Sequence, residues 1–438
     1  MRSALAALAL VALKCAVSAW ALHIGFTHVS DDDFARVTLA QAFAHAPQLD
    51  PTGTSWLPFP FWLNGGAMAL FGRSLAVARG VAVVSSALGA LLVYGAVLRA
   101  GVTRWAAWCG VAIAMCTPWS VWLGVATVPE ALCASLIVFG AVSLAAADAT
   151  DSRPRFYGSV ALLAASLSRY EAWPVALVFA LACAVRVVRN RSRSRRVIEA
   201  VPLFLVILGP AAWIAWNAHA HGDPFHFLAR VAAYRVRMTG AAASPTWTIY
   251  PEAFVHAGPH TMALTLLGIP GLLVDASLRR RWAWPLASMA ALVLFLAIGD
   301  LQNGAPTHHP ERALLAVFWT GSIFGIDGAR SLAVRFVWGH TRREAWLVAL
   351  VALVTVPWAC VWPSRLEDFP ARSASEDRSA QLARGDELRR RGVAHLTVTP
   401  CAYEHFALIA GFEAPERVTV LAERAASVVD ECPHVDER

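Results

Sequence analysis

Long apolar runs separated by short polar ones organise most of this chain. Stretches of about 20 residues rich in Ala, Val, Leu and Trp lie near 4–26, 76–98, 105–123, 130–147, 156–169, 172–188, 197–216, 258–275, 282–299, 312–329 and 345–362. A helix rises about 1.5 Å per residue, so a run of about 20 crosses the hydrocarbon of a bilayer. The pattern predicts a mainly α, polytopic membrane protein of about eleven spans. The fifth run is short and ends at Arg169 and Glu171, which suggests a tight turn into the sixth. The first follows Arg2 as a signal peptide would, yet it carries Lys14 and stays apolar to Phe26, so it reads as an uncleaved span.

The polar positions orient these spans. Arginines gather in five connections: Arg99 and Arg104, Arg153 and Arg155, the run Arg186 to Arg196, Arg279 to Arg281, and Arg330 to Arg343. Counted span by span, all five fall on the same side as the N-terminus, which the positive-inside rule makes cytoplasmic. The Arg186–Arg196 run reads first as this topological signal, with anionic-lipid binding as its second reading. The opposite side receives three long segments: 27–75, 217–257 and the tail 363–438. Residues 1–362 are thus expected to form the membrane domain, and 363–438 a small soluble domain on the outer face. Within the tail, 375–391 and 402–410 read as helices and 394–399 and 417–421 as strands, a small α/β unit. Residues 34–43 are expected to form a helix lying on the membrane surface.

Composition narrows the class further. Of the 438 residues, 57% are hydrophobic and 15% charged, against about a quarter charged in soluble domains, and one globular core cannot hold so much apolar chain. The net charge is +7, nearly all of it arginine, and a basic membrane protein is explained by topology without a nucleic-acid partner. Six of the eight cysteines sit in apolar runs as small hydrophobes. Cys401 and Cys432 lie in the tail, where an oxidising compartment predicts a disulfide, with two buried thiols as the alternative.

Candidate chemistry crowds the outer loops. Asp31, Asp32 and Asp33 follow the first span directly. Neighbouring like charges oppose one another's ionisation, which suits a general base; the run could also hold a divalent ion, or complement a helix dipole behind a Ser30 cap. Trp56, Pro58, Phe59, Pro60, Phe61 and Trp62 make a rigid aromatic patch, either an interfacial anchor or a platform for a lipid tail or sugar. Glu130 opens a span, where a carboxylate is costly. Arg169 and Glu171 pair at the outer surface, and Gly222-Asp223-Pro224 signals a turn. His308, His309, Glu311 and Arg312 precede a late span, and an arginine at that depth needs a phosphate or carboxylate partner.

Taken in order, these motifs resemble the GT-C superfamily of membrane glycosyltransferases, the group of protein O-mannosyltransferases and the lipid A aminoarabinose transferase. The resemblance rests on Ser30-Asp31-Asp32-Asp33-Phe34-Ala35-Arg36, the Trp56–Leu63 segment with Leu70-Phe71-Gly72, Arg169-Tyr170-Glu171 with Gly222–Phe225, and His309-Pro310-Glu311-Arg312, over about residues 1–330. It implies inverting transfer of a sugar from a polyprenyl-phosphate donor to a hydroxyl of a glycan, lipid or protein at the outer face. Asp32 would act as base with Asp31 and Asp33 in support. Arg312 and Arg36 would meet phosphate, and Glu130, Arg169, Glu171, Trp56, Trp62 and His309 would line the site. Some relatives carry an acidic residue or a lysine beside the proline-rich segment, and this chain has neither. Magnesium or manganese on Asp31 and Asp32 is a further possibility. The implied setting is a bacterial inner membrane. The rival functions are a lipid-linked sugar flippase and a non-catalytic assembly factor. Nearly clean spans weigh against a conduit, which places charges near the midplane.

Overall fold

The protein is described from a computed structural model covering residues 2–53, 55–146, 151–190, 192–239, 248–301, 309–337, 339–373, 375–400, 402–421 and 434–437. Its first third contains α1 (Arg2–His23), α2 (Asp32–His45), α3 (Phe59–Phe71), α4 (Leu75–Arg99), α5 (Arg104–Met115) and α6 (Pro118–Leu123). The middle holds α7 (Glu130–Ala146), α8 (Arg153–Ser166), α9 (Ala172–Arg189), α10 (Arg193–His221), α11 (His226–Thr239) and α12 (Ile249–Ala257). Next come α13 (Pro259–Val274), α14 (Ala276–Leu301), α15 (Leu315–Phe336) and α16 (His340–Glu367), then α17 (Ser379–Arg390) and α18 (His405–Phe412) in the tail.

Helix occupies every one of the eleven apolar runs. Among the described residues, six helices are long and apolar enough to cross a bilayer: most of α1, α4, α9, α10, α14 and most of α16. A seventh candidate is the pair α12 and α13, bent by 103° at Gly258. The third run departs from a single span. Pro118 lacks the N–H a continuous helix needs, and Thr117 caps a new helix by accepting from the Ser120 amide at 3.3 Å. The short α6 ends at Leu123, where the Gly124 amide turns to the Trp122 carbonyl, and Lys14 reaches the Ser120 carbonyl from α1 at 3.2 Å. The lysine that interrupts the first apolar run is therefore buried and ties α1 to α6.

Close approach of α13 and α15 fixes the centre of the bundle. A methyl group on Gly325 would run into the backbone of Leu264, and one on Gly328 into Gly268. Small residues at this spacing let helix backbones touch, which drives association where lipid leaves no hydrophobic incentive.

After α16 the chain builds a three-stranded sheet of order β2-β1-β3 from β1 (Leu396–Thr399), β2 (Val418–Val420) and β3 (His434–Glu437). β1 pairs parallel to β2, with Leu396 opposite Val418, and antiparallel to β3, with Thr397 opposite Asp436. Leu388, Leu396, Val398, Leu408 and Phe412 form its own small core. The two expected strands are present and β3 is an addition. Cys401 and Cys432, the expected disulfide pair, lie outside the described residues.

A second apolar cluster joins this tail to α2 through Phe34, Val37, Ala40, Met68, Ala407 and Ala410. Gln41 donates to the carbonyls of Arg73 at 2.8 Å and Ala410 at 2.9 Å. The helix expected to lie on the membrane surface is covered on one face by α18, which holds the acidic segment at its N-terminus in a fixed place.

Candidate active site

Three successive aspartates open α2 and diverge at once. Asp33 is buried and turns back to accept the amides of Val29 at 3.0 Å and Ser30 at 3.3 Å. It also accepts the Thr127 amide at 2.8 Å and hydroxyl at 3.2 Å, tying α2 to the turn before α7. Asp31 receives both arms of Arg378 from the tail, at 2.7 and 3.0 Å. Asp32 keeps 37% of its side chain exposed, with Arg312 at 3.9 Å. Asp31, rather than Ser30, occupies the cap position, and it makes no side-chain cap hydrogen bond.

Beneath Asp32 lies a cluster of arginines around one carboxylate. Glu130 is the first residue of α7, and its side chain has no exposure. Its Oε1 accepts Arg169 at 2.7 Å and Arg312 through Nε at 2.8 Å and Nη2 at 2.6 Å, while its Oε2 has no partner. Arg169 also holds Glu171, with Nε at 2.9 Å. Arg312 Nη1 reaches Ser30 Oγ at 3.4 Å. Arg36 lies over the Trp56 ring at 4.3 Å and near Phe61 at 5.5 Å, with Nε buried and without a hydrogen-bond partner. Burial pulls the Arg36 guanidinium down to about 10 against the attraction of Glu130 and Asp32, so it stays charged at neutral pH.

Local backbone sets these positions. His309 adopts a left-handed conformation, φ 52°, and its carbonyl accepts the Arg312 amide at 3.1 Å. The tight turn Pro310–Arg312 follows and delivers Arg312 into the cluster. The His309 ring rests against Trp119, with centroids 5.5 Å apart. Beside it the Glu311 Oε2 is buried without a partner, and burial raises that carboxyl. Tyr170 anchors the aromatic loop by donating to the Ser55 carbonyl at 2.6 Å, and its ring stacks on Phe227 of α11. Gly222, left-handed at φ 74°, ends α10, and Asp223 closes the expected turn onto the Phe225 amide at 2.9 Å.

Geometry thus gathers Asp32, Arg36, Trp56, Glu130, Arg169, Glu171 and Arg312 in one place. Trp62 points elsewhere, its indole donating to the Leu49 carbonyl at 3.0 Å. His308 lies outside the described residues. Arg378 is the participant that sequence reasoning missed; its separation of 347 residues from Asp31 left no local signal. For a divalent ion the donor set fits poorly. Asp31 is committed to Arg378, Asp33 to hydrogen-bond donors, and arginines surround the open carboxylate. Among the described residues no group of three His, Cys, Asp or Glu converges as a metal site. The arrangement suits an anion instead: Arg36 Nε and Arg312 Nη1 retain donor capacity next to an open carboxylate.

No family model matches the sequence, and no curated protein matches it. Solved structures do. The fold is similar to ArnT from Cupriavidus metallidurans in the apo state, with TM-score 0.60 and 12% identity over 96% of this chain and 90% of that one. The same protein bound to undecaprenyl phosphate gives 0.56 and 13% over 95% and 89%. Archaeal oligosaccharyltransferase AglB from Archaeoglobus fulgidus, in complex with an inhibitory peptide and a dolichol-phosphate, gives 0.53 and 14% over 88% of this chain. This chain spans 58% of the AglB length. At such identities the likeness carries the fold alone. With its six long apolar helices, the chain is a multi-pass integral membrane protein.

Proposed function

We propose that the protein is a membrane glycosyltransferase that moves a sugar from a polyprenyl-phosphate donor to an acceptor hydroxyl at the outer face, with inversion. One observation carries the reading: an open carboxylate, Asp32, stands 3.9 Å from an arginine held by the buried Glu130. The similar solved structures that hold dolichol-phosphate and undecaprenyl phosphate support a lipid-phosphate ligand of this kind.

Chemistry follows from the placement. Asp32 accepts the proton of the acceptor hydroxyl as that oxygen attacks the anomeric carbon. The bond from that carbon to the phosphate oxygen breaks, and its electron pair leaves with the polyprenyl phosphate. Arg312 and Arg36 offset the charge that develops on the leaving phosphate. Glu130, Arg169 and Glu171 hold Arg312 in place, and attack of the acceptor oxygen from the side opposite the phosphate inverts the sugar. The N-terminus would be cytoplasmic and the tail outside, with the acceptor a glycan, lipid or protein.

Membranes containing the protein, supplied with labelled polyprenyl-phosphate sugars, provide the test. Wild type is expected to consume donor, Asp32→Asn to lose about 10²-fold or more, and Arg312→Gln to lose a comparable factor. Absence of donor consumption, or full activity in the Asp31, Asp32 and Asp33 alanine variants alike, would overturn the reading.

A further inference from the structure

At the opposite end of α8 and α10 from the aromatic loop, a groove opens between the two helices. Phe156 and Tyr157 form one wall and Ile198, Val201 and Pro202 the other, around a space of about 290 Å³. That volume is at the lower edge of the range of ligand pockets, about 300–1,000 Å³, enough for one chain rather than a whole lipid. Four of these side chains are exposed, Tyr157 by 51%.

Two features make it a preformed site rather than a gap between lipid-facing helices. Beneath the walls, Arg155 and Glu199 are buried and join α8 to α10 through two charge-assisted bonds, Nε to Oε2 at 2.8 Å and Nη2 to Oε1 at 2.5 Å. The pair fixes the distance between the walls and neutralises its own charge. Arginines stand at the mouth. Arg153 lines the groove and lies one helical turn from Phe156 and Tyr157. Arg195 lies one turn from Ile198 on the facing wall and is exposed. Both helices begin at this mouth, so their dipoles add to the positive potential there. An apolar slot lined at its mouth by Arg153, with Arg195 one helical turn beyond the facing wall, is complementary to a molecule with an acyl chain and an anionic head.

We infer that this groove binds an acidic phospholipid of the cytoplasmic leaflet, its phosphodiester between Arg153 and Arg195 and one acyl chain along Tyr157 and Val201. The inference rests on the membrane reading of the fold and not on the proposed transfer reaction. Juxtamembrane arginines attract anionic lipids generally, and the slot adds a contact specific to one bound lipid.

The full chain, purified in detergent and melted with added dioleoyl-phosphatidylglycerol, dioleoyl-phosphatidylcholine or undecaprenyl phosphate, tests it. Phosphatidylglycerol is expected to raise Tm by about 3 °C or more over phosphatidylcholine. The double variant Arg153→Gln with Arg195→Gln should lose most of that difference while melting as wild type in phosphatidylcholine. Val201→Trp, which fills the slot without altering charge, should lose it too. Asp32→Asn should retain it in full, whatever its transfer activity. Equal shifts with both phospholipids, a full shift in both groove variants, or a response to undecaprenyl phosphate alone would overturn the inference.

Discussion

Successive residues of a helix point about 100° apart, so Asp31, Asp32 and Asp33 meet three different surroundings although they adjoin in sequence. Asp33 faces amides and serves as a structural acceptor; Asp33→Ala strands the buried Thr127 amide and should cost about 3 kcal/mol, read as a lowered midpoint in thermal unfolding. Asp31 faces the tail, so Asp31→Ala and Arg378→Ala should each have modest effects and together no more than either alone, the signature of one shared interaction in a double-mutant cycle. Asp32 alone faces the opening, and its loss should reduce transfer while leaving the melting temperature near wild type. Chelation offers a further check. With one open carboxylate among arginines, transfer should persist in excess EDTA, and loss of activity restored by magnesium or manganese would show that a metal is needed.

At the level of elements, the period and length of the apolar runs made most of the bundle legible, because a helix in lipid must be apolar over a fixed length. The break in the third run was signalled by Thr117-Pro118, a cap followed by proline, but apolarity runs across it and hid it. β3 escaped because His434 to Glu437 is short and polar and forms only by pairing with β1. The contact between α13 and α15 is where a small change should matter most. Gly325→Val or Gly328→Val must push two backbones apart, at about 1–3 kcal/mol or more, and circular-dichroism melts of purified protein should fall accordingly. Gly80, whose added methyl would meet no neighbour, is the matched control, and Gly80→Ala should melt as wild type or slightly higher. Candidate site residues were legible one motif at a time from their polarity at span ends. Their convergence on Glu130 was not, because Arg36, Arg169 and Arg312 come from three distant segments that only the bundle brings together.

Across the whole molecule, the tail acts on the site through α2. It packs on the face of that helix bearing Phe34 and Val37, grips Asp31 through Arg378, and closes a second ion pair between Arg73 and Glu416 at 2.8 Å. Partial burial alone would raise the Glu416 carboxyl, but the hydrogen bond and charge of Arg73 outweigh it and hold the group below its ordinary value of 4.5. A carboxyl lowered in the folded state stabilises fully above its unfolded value, and the contribution fades as pH falls through the lowered one. The pair is partly exposed, so its contribution is small and screened by salt. Other carboxylates titrate in the same window, which makes the difference between two proteins the useful quantity. Wild type should melt above Glu416→Gln at pH 6 to 7 in low salt, and the gap should close as pH drops below about 4.5. A gap that stays constant with pH, or widens in acid, would mean that Glu416 joins the tail to α2 by packing rather than by charge. In that case the charged part of the tail's hold on the acidic segment would be the Arg378–Asp31 pair alone, beside the packing of Phe34, Val37 and Ala410.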